Sequence, residues 1–240
     1  MTTSENARGS AQQLALVVVA HPDDADFMAA GTMAKWVREG VEVVLVVITD
    51  GSKGSEDPEM TRQRLVQIRQ AEQRSAARRL GVREVAFLGY EDGVLEDTLA
   101  LRRDLTRVIR LYRPDRMICM DPTVRWFGSG YINHPDHIAA ANAALAAVSL
   151  LARNRPSFPE LLAEGLEPHK VPLLYLGSTA TPDHWVDISS TIDLKIQALR
   201  EHRSQLNGDE IEPMIREWAR RDAAGHDMEY AESYKLFKLG

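Results

Sequence analysis

Cysteine is nearly absent from this chain of 240 residues: Cys119 stands alone, so no disulfide forms within it and a reducing compartment is expected. Cys119 sits in the apolar run Arg116-Met117-Ile118-Cys119-Met120, where a thiol packs as a small hydrophobe. No stretch approaches the roughly 18 consecutive apolar residues of a membrane span, and the polar opening Met1 to Gln13 lacks the apolar core of a secretory leader. These absences predict a cytoplasmic protein with no membrane span. Positive charge is also in deficit: 29 Lys and Arg against 35 Asp and Glu leave a formal charge of −6. A sequence-independent grip on phosphate backbones needs a basic face, so nucleic acid is excluded as a partner. No internal repeat is visible. The loop after the first apolar run lacks a Gly-x-Gly-x-x-Gly cradle and carries Asp23, Asp24 and Asp26 instead, which repel phosphate.

What is present is a β-then-α alternation on a 44% hydrophobic composition, enough for a large core. The expected organisation is a flexible tail over 1–13 and a single domain over 14–240. Apolar runs predict strands over Leu14–Ala20, Val41–Ile48, Val82–Leu88, Asp115–Met120 and Val171–Leu176. Helical periodicity predicts helices over Asp24–Glu39, Pro58–Leu80, Leu95–Tyr112, Pro135 to about Ala152, Ser189–Gln205 and Asp209–Arg221. Arg153–Lys170 reads as a surface excursion. Strands this continuously apolar are covered on both faces, so the fold class is α/β, a Rossmann-like doubly wound, mostly parallel sheet flanked by helices. Ligands in such sheets bind at the carboxyl ends of the strands, which selects the loops starting at His21, Thr49, Gly89 and Asp121.

Two polar clusters emerge near that edge: His21-Pro22-Asp23-Asp24 and Asn133-His134-Pro135-Asp136-His137. Imidazole nitrogen and carboxylate oxygen suit a borderline divalent ion, and residues at i and i+3 across a tight turn can converge on one ion. Each cluster alone also reads as a helix cap. Together, on separate loops, they hold more donors than a structural site uses, and the surplus points to acid–base work.

The chain resembles the LmbE-like or PIG-L N-deacetylases. The resemblance is carried by Ala20-His21-Pro22-Asp23-Asp24-Ala25-Asp26-Phe27, Gly31-Thr32, Thr49-Asp50-Gly51-Ser52-Lys53-Gly54 and Arg69 with Glu72 before Leu80-Gly81-Val82. It continues through Phe87-Leu88-Gly89-Tyr90-Glu91-Asp92-Gly93, Asn133-His134-Pro135-Asp136-His137 and Asp193-Leu194-Lys195 leading to His202-Arg203-Ser204-Gln205. It implies an LmbE-like fold and a zinc-dependent hydrolase that removes an N-acetyl or related N-acyl group from a small amino sugar or glycoconjugate. By that resemblance His21, Asp24 and His137 are the zinc ligands and Asp23 is the general base. His134 would stabilise the transition state or protonate the leaving amine, with Asp136 orienting it or tuning its pKa. The same ligands accept Fe2+ or Co2+. The chain departs from the family pattern at Ala30-Gly31, where many members carry two glycines, and at Asp26, where many carry Glu.

Arg69 and Asp92 are expected to contact substrate, against the readings of a solvated basic helix face and a turn-forming Asp-Gly. Trp126, Phe127 and Tyr131 offer faces on which a sugar can stack. Asp26 reads as a support for a metal-bound histidine or as a charge in a helix first turn, and His202 has no role derivable from sequence. The competing function is a non-catalytic sugar- or nucleotide-binding protein on a Rossmann-like scaffold. Substrate identity and physiological metal stay open. So does oligomeric state: the Ala-rich helix around Ala139–Ala147 suits either the core or the face of a homo-oligomer.

Overall fold

The computed structural model describes residues 12–206 and 208–239, so most of the expected N-terminal tail, 1–11, lies outside the described residues. Its central sheet has seven strands in the order β3-β2-β1-β4-β7-β9-β8. Strands β1 (Leu14–Val19), β2 (Glu42–Thr49), β3 (Glu84–Tyr90), β4 (Arg116–Met120) and β7 (Leu173–Gly177) run parallel. The chain winds outward from β1 to β2 and β3, then returns to place β4 on the other side of β1. That reversal opens a crevice beyond the carboxyl ends of β1 and β4, where the His21 and Asp121 loops begin.

Strand β1 shows why the sheet is covered on both faces. Ala15, Val17 and Val19 enter a core shared with α1 (Asp24–Arg38), α6 (Ile192–Leu199) and α7 (Gly208–Ala223). Their neighbours Leu14, Leu16 and Val18 enter a second core with α3 (Leu99–Tyr112) and α4 (Pro135–Ala146). Alternate side chains point to opposite faces, so an unbroken apolar run is the pattern two apolar faces require.

Several element limits differ from expectation for identifiable reasons. Helix α2 runs Arg62–Leu80 rather than starting at Pro58, because the Thr61 hydroxyl accepts from Arg64 N and caps it there. Likewise α3 starts after Thr98, whose hydroxyl accepts from Leu101 N, and Leu95 stays in the loop. Helix α4 gives way to a π turn over Ala147–Leu151, and a short α5 (Pro159–Ala163) lies within the excursion. Helix α6 stops at Leu199, and His202 turns inward beyond it. Not expected from the sequence are a small hairpin of β5 (Trp126–Phe127) and β6 (Tyr131–Ile132), the strand β9 (Ala231–Lys238), which pairs antiparallel with β7, and the edge strand β8 (His184–Asp187), which pairs antiparallel with β9.

Helix α1, which carries the first polar cluster, is tied down from two sides. The Lys195 ammonium donates to Phe27 O at 2.6 Å and to Glu232 Oε1 at 2.5 Å. Glu232 in turn accepts from the amides of Gly31 and Thr32. Gly31 is required at this crossing: a Cβ there would lie 2.7 Å from Ile188 Cγ2.

Arg110 organises the far side. Its side chain is 1% exposed and donates to the carbonyls of Leu151, Ala152, Asn154 and Ser157, gathering the start of the excursion around one guanidinium. Arg110→Met keeps most of the aliphatic volume and leaves those carbonyls without their donor. Each stranded group costs about 1–3 kcal/mol, and partial rehydration limits the total to an expected loss of about 3–4 kcal/mol. Urea unfolding checks this; a loss under about 1 kcal/mol would refute the gathering role.

Candidate metal centre and active site

At the end of β1 the chain turns through His21-Pro22 and enters α1 by way of Asp23, whose backbone lies at φ 97°, ψ −32°. This is sparsely populated ground for a residue with a Cβ. Asp23 makes no side-chain cap for α1, so the helix-cap reading of this cluster does not describe it. Asp24 folds back instead, its Oδ2 accepting from His21 N at 2.7 Å. The second cluster arrives from the other side of the crevice. His134 is the N-cap of α4 with Pro135 in the first turn, and its Nδ1 accepts from Asp136 N at 3.2 Å.

The two clusters meet. His21 Nδ1 lies 3.2 Å from His137 Nε2 and 3.4 Å from Asp24 Oδ2, and His137 Nε2 lies 3.1 Å from Asp24 Oδ1. Ligands at about 2.0–2.1 Å around a tetrahedral ion are separated by about 3.3 Å, so these donors fit a single divalent cation. The backs of both rings are engaged in a way that frees the inward nitrogens. His21 Nε2 faces Asp92 Oδ1 at 3.1 Å and Asp136 Oδ2 at 3.2 Å. His137 Nδ1 meets Asn133 Oδ1 at 3.0 Å. Acceptors on the outer nitrogens hold the protons there and turn the lone pairs inward.

The electrostatics favour a cation at the same point. Burial opposes charge on His21, but the carboxylates of Asp136, Asp24 and Asp92 outweigh it and push the imidazole up to about 12. Burial likewise opposes ionisation of Asp24, yet His137 and His21 hold its carboxyl far below the usual carboxylate range. A second grouping, His21 with His134 and Asp136, is also within reach of one ion. It is the poorer site, because Asp136 already accepts from Gly93 N at 2.6 Å and Leu95 N at 3.1 Å, and His134 Nδ1 is occupied by the cap.

Asp23 stands beside this triangle. Burial pushes its carboxyl up to about 6, Asp24 adds to the rise, and Arg69 opposes it. His134 borders the site on another side, its ring edge-on to His21 with centroids 4.7 Å apart. Burial, then the charge of His21, lowers its pKa. With Nδ1 accepting from backbone, the neutral ring carries its proton on Nε2.

Asp136, Arg69 and Asp92 each make contacts within the protein. Asp136 reaches His134 Nδ1 only at 4.0 Å; its carboxylate serves His21, while its backbone N–H orients His134. Arg69 is 4% exposed and turned into the protein, donating to Gly51 O, Pro22 O and Asp23 Oδ2. Asp92 is 5% exposed, with one oxygen on His21 and the other accepting from Lys53 N. Both side chains are engaged within the protein, and Arg69 Nε has no partner there. A cavity of ≈ 750 Å³ opens beside Asp23, Asp24 and His137, walled by Phe27, Met28, Trp218 and the hairpin residues Phe127 and Tyr131.

Sequence reading assigned no role to Asn133 or Gln73. Asn133 stands one turn before His137, which was a usable signal. Gln73 falls on the buried stripe of α2 with Leu65, Arg69, Ala76 and Leu80, a polar residue at an apolar period.

Residues 16–148 match the PIG-L family, described as GlcNAc-PI de-N-acetylase. Diacetylchitobiose deacetylase of Thermococcus kodakarensis is 34% identical over 194 residues, covering 81% of this chain and 70% of the relative. A probable N-acetyl-alpha-D-glucosaminyl L-malate deacetylase 2 of Bacillus anthracis is 28% identical, covering 79% and 80%. The solved N,N'-diacetylchitobiose deacetylase of Pyrococcus horikoshii superposes with a TM-score of 0.87 at 31% identity, covering 95% of this chain and 84% of that one. On the joined His–Asp clusters, the doubly wound sheet and these likenesses, the chain belongs to the PIG-L family.

Proposed function

We propose that the protein hydrolyses the N-acetyl group of a small amino sugar or amino-sugar conjugate, using a zinc ion held by His21, Asp24 and His137. The observation that carries the reading is the triangle of inward-facing donors His21, Asp24 and His137 beside the half-buried carboxylate of Asp23. A divalent ion in that triangle supplies Lewis acidity toward the acyl carbonyl and acidifies a water.

The chain's own residues do the rest. Asp23 accepts the water proton as the oxygen attacks the carbonyl carbon, and returns it to the amine nitrogen as the C–N bond breaks, releasing acetate and a free amine. Neutral His134 donates its Nε2–H to the oxygen on which negative charge develops. Its capped Nδ1 favours this role over delivery of a proton to the leaving group. Arg69 and Gln73 hold Asp23, and Asp92 and Asp136 hold His21. The aromatic walls suit the apolar face of a sugar ring.

Zinc-loaded protein incubated with N-acetylglucosamine, diacetylchitobiose and larger N-acetylated glycoconjugates is expected to release free amine and acetate in equal amounts, and a chelator to stop the release. A protein that binds these sugars and releases no amine with metal bound would instead be a binding module, and the proposal would fall.

A further inference from the structure

We infer that Gln73 is a positioning residue for this reaction, holding Asp23 in its left-handed backbone conformation through a buried chain of Gln73, Asp26 and His202. The inference rests on Asp23 being the base. A non-glycine residue at φ 97° is strained, and it persists only where its surroundings over-determine it. Here they do. Asp23 N donates to Gln73 Oε1 at 2.8 Å, Gln73 Nε2 donates to Asp26 Oδ2 at 2.8 Å, and His202 Nε2 meets the same oxygen at 2.9 Å. Gln73, Asp26 and His202 are each 0% exposed. From the other side Arg69 grips Pro22 O and the Asp23 carboxylate.

The direction of the amide follows from its partners. A backbone N–H has to meet an oxygen, so the NH2 end faces Asp26, and both ends of Gln73 are committed. Packing alone would place an apolar side chain on this stripe of α2, as it does at Leu65, Ala76 and Leu80. No hydrogen bond among the described residues joins Gln73 to His21, Asp24 or His137. Loss of Gln73 therefore strands the Asp23 amide and frees the turn to relax, which moves the base while leaving the metal donors in place. The same chain gives Asp26 and His202 their purpose: they anchor the glutamine.

The test is Gln73→Met, which keeps length and removes both hydrogen bonds, assayed on diacetylchitobiose as zinc-loaded full chain alongside Asp23→Asn and wild type. Displacement of a catalytic group by about 1 Å costs up to about 100-fold, so kcat is expected to fall about 10- to 100-fold. KM should stay within about twofold, because ground-state binding is untouched, and zinc should stay at about one per chain. Should Gln73→Met fail to fold, His202→Asn cuts the anchor one step further away and is expected to lower kcat in the same pattern, less severely. A kcat retained in full, or one that falls only in proportion to zinc content or folded fraction, overturns the proposal. Asp23→Asn inactive with Gln73→Met fully active removes the positioning role alone. An active Asp23→Asn, or a wild type inactive on every N-acetylated sugar tried, removes the functional reading first and this inference with it.

Discussion

Asp23→Asn is expected to lower kcat by about 10²- to 10⁴-fold, the usual contribution of a positioned general base, with bound metal unchanged. Asparagine is the informative replacement. It is among the few residues that tolerate a positive φ, which the turn at Asp23 demands, and its amide oxygen still accepts from Arg69, but it takes up no proton. The variant also predicts a stability effect of known sign. In the metal-free protein burial and Asp24 raise the Asp23 carboxyl from 3.8 to about 6, so folding disfavours its charged form and the native residue costs stability at neutral pH. Asp23→Asn should raise the thermal midpoint of the apo protein at pH 7. That gain should shrink as the pH falls through 6 and vanish below about 4, where the carboxyl is protonated in both states. Wild-type turnover by metal-loaded Asp23→Asn would remove the base assignment.

His137→Ala and His21→Ala are both expected to abolish zinc binding and reduce amine release to background, but with different structural costs. His137 meets the neutral Asn133 on one side and a single carboxylate, Asp24, on the other, so its loss should cost the apo fold less than the loss of His21. His21 stands between Asp24, Asp92 and Asp136, each no more than 9% exposed. Removing it leaves buried carboxylates facing one another without a cation, a defect that costs about 3–5 kcal/mol. Metal analysis and thermal unfolding of the two apo variants separate these effects. Stoichiometric zinc in His137→Ala would exclude the proposed ligand set, and equal stability of the two variants would contradict the account of His21 as the keystone of the carboxylates.

Much of the site could be read from local sequence because its parts are local. His21 with Asp24, and His134 with Asp136 and His137, each occupy one turn, so their spacing alone suggested convergence. The resemblance divides Asp23 from Asp24; in the structure Asp24 folds back to His21 N, while Asp23 precedes the helix at φ 97°. The helix α2 was harder. Its arginines at 62, 64, 74, 78 and 79 are exposed, as a solvated basic face would be. Arg69 and Gln73 share the buried period with Leu65 and Leu80, and a polar pair on an apolar stripe was the available sign that they face inward.

Asp92 and Asp136 take a partner that local sequence does not show. Each meets His21, at separations of 71 and 115 positions along the chain. No periodicity connects such residues. Strand β9 was similarly hidden: its short alternating run follows the last helix, and only pairing with β7 and β8 gives it a place.

The sequence by itself determined the parallel, doubly wound architecture, since unbroken apolar strands must be covered on both faces. It also marked the candidate site, since carboxylates and imidazoles at the exits of buried strands are unfavourable without a cation. The tertiary structure alone decided which carboxylate meets which histidine, which groups hold the strained backbone at Asp23, and that Asp26 and His202 meet in the interior. Those roles depend on hydrogen bonds between groups far apart in the chain, whose distances and directions exist only once the two halves of the sheet have closed around the crevice.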